Sequence, residues 1–183
     1  MQNRFAFVGG TTGAWRVVSA KPARGAALPA ATHVEVLPAS NAATGRAAVW
    51  TLHGLMSNLR YATRGEVTAL RATQEGLGRP QARRAALIPI KKSLAWWDLA
   101  QDERRAIFEA QSQHTAIGLK FLPAIARQLY HSRDLAEPFD FLTWFEYAPE
   151  HAAAFEDLVV RLRASHEWSF VEREIDIRLE RAA

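Results

Sequence analysis

The chain has 183 residues, of which 49% are hydrophobic and 23% are charged, and its net charge is +4. This composition is typical of a soluble globular protein with one domain or two small lobes. No run of about 18 apolar residues predicts a membrane helix. The short apolar start MQNRFAFVGG is not a secretory signal, so we expect a cytoplasmic protein, with a trimmed exported form as the alternative.

The sequence contains no cysteine, which excludes disulfides, thiolate metal sites and cysteine nucleophiles. The basic cluster RPQARR (79–84) lacks the interleaved aromatic residues that stack on nucleic-acid bases. We therefore expect no nucleic-acid partner and interpret the basic excess as a solvated face. An anionic small ligand would also suit this charge balance.

The first half of the chain predicts mostly strands. RFAFVGG and GAWRVVSA predict a hairpin joined by a glycine-rich turn, and AAVWTLHGL (47–55) predicts a third strand. The segment VGGTTG is not a phosphate-binding loop, because a strand rather than a helix is predicted after it. TRGEVTALRATQEGLG (63–78) predicts a helix that begins at Thr63 and carries Gln74 on its apolar face.

The middle of the chain predicts one strand and two helices. AALIPIKK (85–92) predicts a strand near a sheet edge or end, because Pro89 has no N–H to donate to a ladder. Residues 102–114 predict a helix with His114 on its apolar side, and residues 118–131 predict a helical piece disturbed near Pro123.

The last third of the chain predicts a strand, a helix and a strand. FDFLTWFEY (139–147) and EWSFVEREIDIRLER (167–181) alternate, whereas residues 149–165 carry an apolar stripe at helical spacing. We predict an α+β fold with an antiparallel sheet and helices on one side. A ferredoxin-like dimeric α+β barrel fits this order, with an abbreviated N-terminal half (1–85) and a C-terminal half (86–183).

The pattern alone leaves two polar residues open to two interpretations. His114, on an apolar helix face, is either a satisfied core histidine or an axial ligand of haem iron. Arg127 is either a surface arginine or, if the chain turns back near Gly118, the opposite side of a site for a flat ligand. No H-E-x-x-H or G-x-S-x-G motif predicts a zinc or serine-nucleophile site instead.

From about residue 85 onward, the chain resembles the chlorite dismutase family of haem b proteins. Before that, only SNLRYATRGE (57–66) matches the family, and the rest of the first half matches poorly. The shortness of this half resembles the compact, dimeric lineage of the family and implies a homodimer. The matching segments are SNLRYATRGE (57–66), IPIKKSLAWWDL (88–99), RRAIFEAQSQH (104–114), GLKFLPAIAR (118–127), FDFLTWFEY (139–147) and EWSFVERE (167–174).

The resemblance implies a role for each matched residue. His114 matches the proximal iron ligand of one non-covalent haem b per chain, and Glu167 matches the acid that accepts its other imidazole N–H. Arg127 matches the catalytic distal arginine, whose charge can hold an oxyanion. The remaining matches are Gln74 in the distal pocket, Asn58, Tyr61, Lys92 and Trp96 near the haem propionates, and Trp97 lining the pocket.

The implied activity converts chlorite to chloride and dioxygen with formation of an O–O bond, through ferryl iron and transient hypochlorite. Chlorite and other small anions are the implied ligands. The main alternative is a coproheme decarboxylase of the same superfamily, but its radical-forming tyrosine is replaced here by Ile88, and Arg127 stands where a non-arginine is usual. No motif matches the distal Asp of dye-decolourising peroxidases. In a third interpretation, a non-catalytic haem-binding protein, Arg127 has no evident purpose.

Overall fold

Antiparallel strands close into a barrel in the computed structural model, which describes residues 3–41, 47–56, 63–73 and 76–182. Their order around the barrel is β1-β3-β2-β8-β5-β7-β6-β4. The prediction of an antiparallel α+β fold is confirmed. The strands are β1 (Arg4–Gly10), β2 (Trp15–Arg24), β3 (His33–Pro38), β4 (Ala48–Met56), β5 (Arg84–Lys92), β6 (Ile125–His131), β7 (Phe141–Tyr147) and β8 (Val171–Arg181).

Helices cover the outer face of the C-terminal half of the barrel. A π-helical turn (Ala106–Gln111) continues α3, and a 3-10 turn (His166–Phe170) precedes β8. No helix among the described residues is long and apolar enough to cross a membrane. The helices are α1 (Arg64–Thr73), α2 (Leu94–Asp98), α3 (Gln101–Arg105), α4 (His114–Leu119) and α5 (Ala152–Arg163).

The two faces of the C-terminal strands belong to different apolar clusters. Leu87, Tyr130 and Trp144 lie in the cluster that fills the barrel, which they share with Phe7 and Trp15. Neighbouring residues of the same strands point outward, as the two-residue period of a strand requires. The outward set packs under α5, whose predicted apolar stripe is buried as expected: Phe155, Leu158, Val159 and Leu162.

The predicted hairpin of β1 and β2 is wrong. β3 lies between these two strands, and β1 pairs with β3 on one side and with β4 on the other. β2 pairs along most of its length with β8, from Trp15–Arg181 onward. A glycine-rich turn is a local signal, whereas the pairing is set by closure of the barrel through strands far apart in sequence.

The predicted edge position of Pro89 is also wrong. β5 is a central strand between β7 and β8, and Pro89 is opposite Leu142 of β7. On the other side, the pairing with β8 runs to Leu87–Ile177 and continues at Ile90–Glu174. The pairing between β5 and β8 is therefore interrupted at Pro89, which has no N–H to donate, although this strand lies inside the sheet and not at its edge.

The helices predicted around His114 and Arg127 differ from those observed. The helix predicted over residues 102–114 divides into α3 and the π-helical turn, and His114 begins α4. Gly118 lies inside α4, and the chain reverses at residues 120–124. Residues 125–131 are a strand because they pair with β7 over their full length, which overrides their local helical pattern.

We expect Phe155→Ala to lower the free energy of unfolding by about 3–5 kcal/mol, since a buried aromatic ring leaves a cavity. Phe155 is fully buried, and its ring stacks on Tyr147 with centroids 4.5 Å apart. Urea denaturation measures the loss. Val160→Ala, on the exposed side of the same helix, should change stability by no more than about 0.5 kcal/mol. Equal losses in the two variants would contradict this packing of α5.

Candidate functional site

A largely apolar pocket lies on the outer face of β5–β8, under the helices. It contains about 880 Å³ of empty space, its open side included. Its apolar walls come from alternate residues of the strands and from α5, and a few polar side chains converge on it. The polar lining residues are Lys92, His114, Arg127, His131, Thr143, Arg163, Glu167 and Glu174.

His114 enters this pocket at an abrupt turn of the backbone. Gln113, just before it, has a φ of 50°, a left-handed conformation that is uncommon outside glycine. The turn separates the π-helical segment from α4, so His114 is the first residue of its helix. The Glu109 carboxylate stabilises the start of α4 by accepting a 2.9 Å hydrogen bond from the Thr115 N–H.

The predicted contact between His114 and Glu167 is present. His114 Nδ1 lies 2.7 Å from Glu167 Oε2, and the Lys92 ammonium donates to Glu167 Oε1 at 2.8 Å. All three side chains are largely buried, with exposed fractions of 13% for His114, 7% for Glu167 and 4% for Lys92. They form a continuous chain of polar contacts along one wall of the pocket.

The charge of Glu167 depends on these two partners. Burial by itself raises the pKa of the carboxyl, but His114 and Lys92 outweigh that effect and lower the pKa to about 2. Burial also lowers the pKa of Lys92, and the Glu167 charge opposes that shift. Glu167 is therefore ionised at neutral pH and can only accept hydrogen bonds.

An ionised Glu167 fixes the tautomer of His114. Because the carboxylate can only accept, the proton of a neutral imidazole must lie on Nδ1, which leaves the lone pair on Nε2. The ring is also fixed by Phe108, which stacks on it with centroids 4.3 Å apart. The turn that carries Glu167 is fixed by Ser112, whose hydroxyl oxygen accepts a 2.8 Å hydrogen bond from the Glu167 N–H.

Arg127 lines the same pocket as His114, from β6. Along this strand Arg127, Leu129 and His131 face the pocket, whereas Tyr130 faces the inside of the barrel. Burial lowers the pKa of Arg127, and the Glu167 charge acts in the opposite direction. A guanidinium stays protonated at neutral pH even so, and it places a positive charge in an apolar cavity.

The structure places the other predicted haem contacts in different surroundings. Trp96 is buried in the pocket wall, with the Lys92 ammonium 4.5 Å from its ring centroid. Trp97 lies behind the wall, where its indole N–H donates to Asp140 at 3.2 Å and its ring stacks on Phe141. The Lys92 ammonium donates a hydrogen bond to Glu167, and its predicted contact with a haem propionate remains a prediction. Asn58, Tyr61 and Gln74 lie outside the described residues, and their roles remain predictions too.

Several residues of the site had no assigned role in the sequence. Phe108 and Ser112 lie on the π-helical segment and the turn that precede His114, and Trp168 and Glu174 lie within the EWSFVERE segment. Asp140 supports β5 by accepting a 2.7 Å hydrogen bond from the Lys92 N–H. The quoted motifs contain all these residues, but only the folded chain shows what they contact.

The donor set fits a haem better than a bare metal ion. A single imidazole with a carboxylate behind it is the usual ligand arrangement for haem iron. The apolar walls, with Ile88, Ile90 and Val159 among them, suit a flat hydrophobic macrocycle. Arg127 adds a cation to the same cavity.

We expect the free energy of unfolding, measured without added haem, to fall as the pH is lowered from about 4.5 to about 2. The folded pKa of Glu167 is about 2, below its ordinary 4.5, so its charge stabilises the fold above that range and is lost within it. Glu167→Gln should flatten this part of the profile. Glu172→Gln removes an exposed carboxylate and should retain the wild-type fall. An unchanged profile in Glu167→Gln would contradict the assignment.

Comparison with known sequences places most of the chain in one family. A family model described as chlorite dismutase matches residues 31–181. A chlorite dismutase of Ideonella dechloratans is 39% identical over 80 residues, which are 44% of this chain and 26% of that protein. The chain thus matches about a quarter of the length of this curated relative.

Solved structures give a fuller match. The dimeric chlorite dismutase of Nitrobacter winogradskyi is 58% identical, with a TM-score of 0.91, over 97% of this chain and 99% of that one. The chlorite dismutase of Candidatus Nitrospira defluvii in complex with imidazole is 28% identical, with a TM-score of 0.58, over 81% of this chain and 56% of that one. The chain therefore belongs to the chlorite dismutase family.

Proposed function

We propose that this protein is a haem b enzyme that converts chlorite to chloride and dioxygen. The observation that carries the proposal is the presence of the His114–Glu167 pair and the partly buried Arg127 in one apolar pocket. Membership of the chlorite dismutase family supports it, as does 58% identity over nearly the whole chain to the Nitrobacter winogradskyi protein.

His114 would hold one haem per chain through Nε2. The sequence has no cysteine for a thioether bond, so the haem would be non-covalent. When bound, the haem supplies the iron-centred redox chemistry of the reaction. Glu167, which accepts the Nδ1 proton of His114, makes the imidazole a more strongly donating ligand. Lys92 keeps Glu167 ionised so that it continues to accept.

Arg127 would act on the substrate rather than on the haem. Its guanidinium offers several N–H donors and a permanent charge, which suit the oxygen atoms of chlorite. In the reaction the two oxygen atoms of chlorite leave as dioxygen and the chlorine leaves as chloride. A positive charge in an apolar pocket would hold an anionic chlorine–oxygen fragment beside Arg127 until the O–O bond has formed.

The wall of the pocket favours this reaction over coproheme decarboxylation. Ile88, where decarboxylases carry a tyrosine, is 5% exposed and lines the pocket with an aliphatic side chain that cannot form a phenoxyl radical. Arg127 stands at the distal position instead of an uncharged residue. Both features support chlorite as the substrate, with other small anions as competing ligands.

The same proposal extends to fold and assembly. The C-terminal half, residues 86–183, would be a ferredoxin-like unit, since β5, the helices, β6, β7, α5 and β8 follow the order strand, helix, strand, strand, helix, strand. Residues 1–85 would form the abbreviated first half. We propose a homodimer, because the Nitrobacter winogradskyi relative is dimeric. Asn58, Tyr61 and Trp96 would contact the haem, Trp97 would support the wall through Phe141, and Gln74 would lie on the distal side.

We expect the purified protein to bind one haem through His114. His114→Ala should lose the five-coordinate, histidine-ligated spectrum and weaken haem binding by about 10-fold or more, since the iron then lacks its protein ligand. Titration with haem, followed by absorption and resonance Raman spectroscopy, measures both. His151→Ala, at the start of α5 and outside the pocket, is the control and should bind as the wild type does. A histidine-ligated spectrum in His114→Ala would refute the assignment.

We expect the haem-loaded protein to release dioxygen when chlorite is added, as recorded with an oxygen electrode. Arg127→Ala should keep its haem but evolve dioxygen at least about 10-fold more slowly and bleach within fewer turnovers, because the anionic fragment escapes. Arg127→Lys should be intermediate, since it retains the charge without the planar array of donors.

The matched control for Arg127 is Arg161→Ala, which removes an arginine that is 52% exposed on α5. It should evolve dioxygen and survive as the wild type does. A histidine-ligated wild-type protein that evolves no dioxygen and instead decarboxylates coproheme would favour the alternative function. Wild-type rate and durability in Arg127→Ala would show that Arg127 does not hold the anion.

A further inference from the structure

We propose that Glu174 is a positioning residue that sets the orientation of Glu167 through the indole of Trp168. This inference rests on the proposed function, because Glu167 matters only if His114 binds the iron. Glu174 belongs to β8, and its contacts bridge the strand to the 3-10 turn that carries Glu167. It would control how firmly the carboxylate is held against His114.

The first link is the bond between Trp168 and Glu174. The indole N–H of Trp168 donates to Glu174 Oε2 at 2.7 Å, and both residues line the pocket. Trp168 is the neighbour of Glu167 in the chain, within the turn His166–Phe170. Its ring lies almost parallel to that of His114, at 18°, with centroids 6.5 Å apart. A movement of this indole would therefore move the backbone that carries Glu167.

The second link is the immobility of Glu174 itself. Its side chain is 2% exposed, and its other oxygen, Oε1, accepts from Arg163 Nε at 2.9 Å and from Arg163 Nη2 at 2.5 Å. Arg163 Nη2 also donates to Asp176 at 2.8 Å, which attaches the guanidinium to β8 a second time. With Oε1 held in this way, the carboxylate cannot rotate freely, and Oε2 stays where the Trp168 indole N–H donates to it.

The chemistry of this contact is unusual for a residue that only packs. A buried carboxylate costs free energy unless it is paired, and an apolar side chain would fill the same space without that cost. A charged acceptor also makes a stronger hydrogen bond to an indole N–H than a neutral one does. Together these facts indicate that the charge of Glu174 serves to hold Trp168, and with it the turn that carries Glu167.

The turn needs such support because Glu167 must satisfy two partners at once. Its oxygens lie 2.7 Å from His114 Nδ1 and 2.8 Å from Lys92 Nζ, distances that a small rotation would lengthen. Ser112 holds the backbone N–H of Glu167 on one side of the turn. Glu174 holds Trp168 on the other, so the carboxylate is fixed between the two.

The test is a double-mutant cycle in the haem-loaded protein, with Glu174→Gln, Glu167→Gln and both together. The readouts are the iron–histidine stretching frequency of the ferrous protein and the ferric/ferrous reduction potential. Glu167→Gln should lower the frequency and raise the potential, since His114 becomes a weaker donor. Glu174→Gln should shift both in the same direction by less, and should add no shift in the Glu167→Gln background.

Two further variants keep the result interpretable. Trp168→Phe removes the indole N–H but keeps an aromatic ring, and it should reproduce the shifts of Glu174→Gln even if that variant folds poorly. Asp157→Asn breaks an exposed ion pair on α5 and should leave frequency and potential unchanged. A loss of thermal stability shared by all the variants does not affect the test, because its readouts are the iron–histidine stretching frequency and the reduction potential.

The proposal is overturned if Glu174→Gln and Trp168→Phe leave both readouts at their wild-type values. It is also overturned if Glu174→Gln shifts them equally with and without Glu167, because its action would then be independent of that residue. Failure of the proposed function gives a different result. In that case the wild-type protein lacks an iron–histidine band or evolves no dioxygen from chlorite, whereas here the wild type shows the band and evolves dioxygen, and only the cycle fails.

Discussion

A buried carboxylate, Glu167, is the charge on which the rest of the site depends. Taken out of water alone, it would bind a proton and cease to accept hydrogen bonds. Lys92 from β5 and His114 from α4 both contact it, and together they lower its pKa to about 2. One electrostatic requirement thus ties a strand, a helix and a 3-10 turn together. The same requirement fixes the imidazole tautomer, so the folding of this region and the chemistry of His114 have a common cause.

The barrel supplies the other side of the pocket through the two-residue period of its strands. Each of β5, β6 and β7 directs one set of side chains into the barrel, where Leu87, Tyr130 and Trp144 pack, and the alternate set outward. Arg127 belongs to the outward set of β6, opposite Phe145 of β7. A shift of one residue in this register would put Ala126 or Gln128 in the place of Arg127 and turn its charge into the barrel. Packing of the barrel interior therefore determines where the cation of the pocket lies.

The sequence predicts those features of the fold and the site that neighbouring residues determine. It does not predict those that depend on residues far apart in the chain. The apolar stripe of α5 is local, and its helical spacing predicted it correctly. The β1–β2 hairpin and the edge position of Pro89 were wrong because barrel closure pairs strands that are distant in sequence. The sequence predicts a helix at Arg127, because residues 118–131 have no strong alternation, and only pairing with β7 makes residues 125–131 a strand. The contact of His114 with Glu167, 53 residues apart, came from family resemblance, since no spacing rule connects a helix start to a distant turn. The bond between Lys92 and Glu167 was missed for the same reason.

The two sides of the pocket are not electrostatically independent. Burial lowers the pKa of Arg127, and the charge of Glu167 is the influence that opposes it. Lys92 sustains the Glu167 charge, so a lysine on β5 also supports the charged form of an arginine on β6. A cation in an apolar cavity keeps its charge more readily when a nearby negative charge opposes the effect of burial. In this molecule the carboxylate that directs His114 contributes to that condition. The arrangement that makes the imidazole a strong donor therefore also helps keep the Arg127 side chain in the same pocket positive.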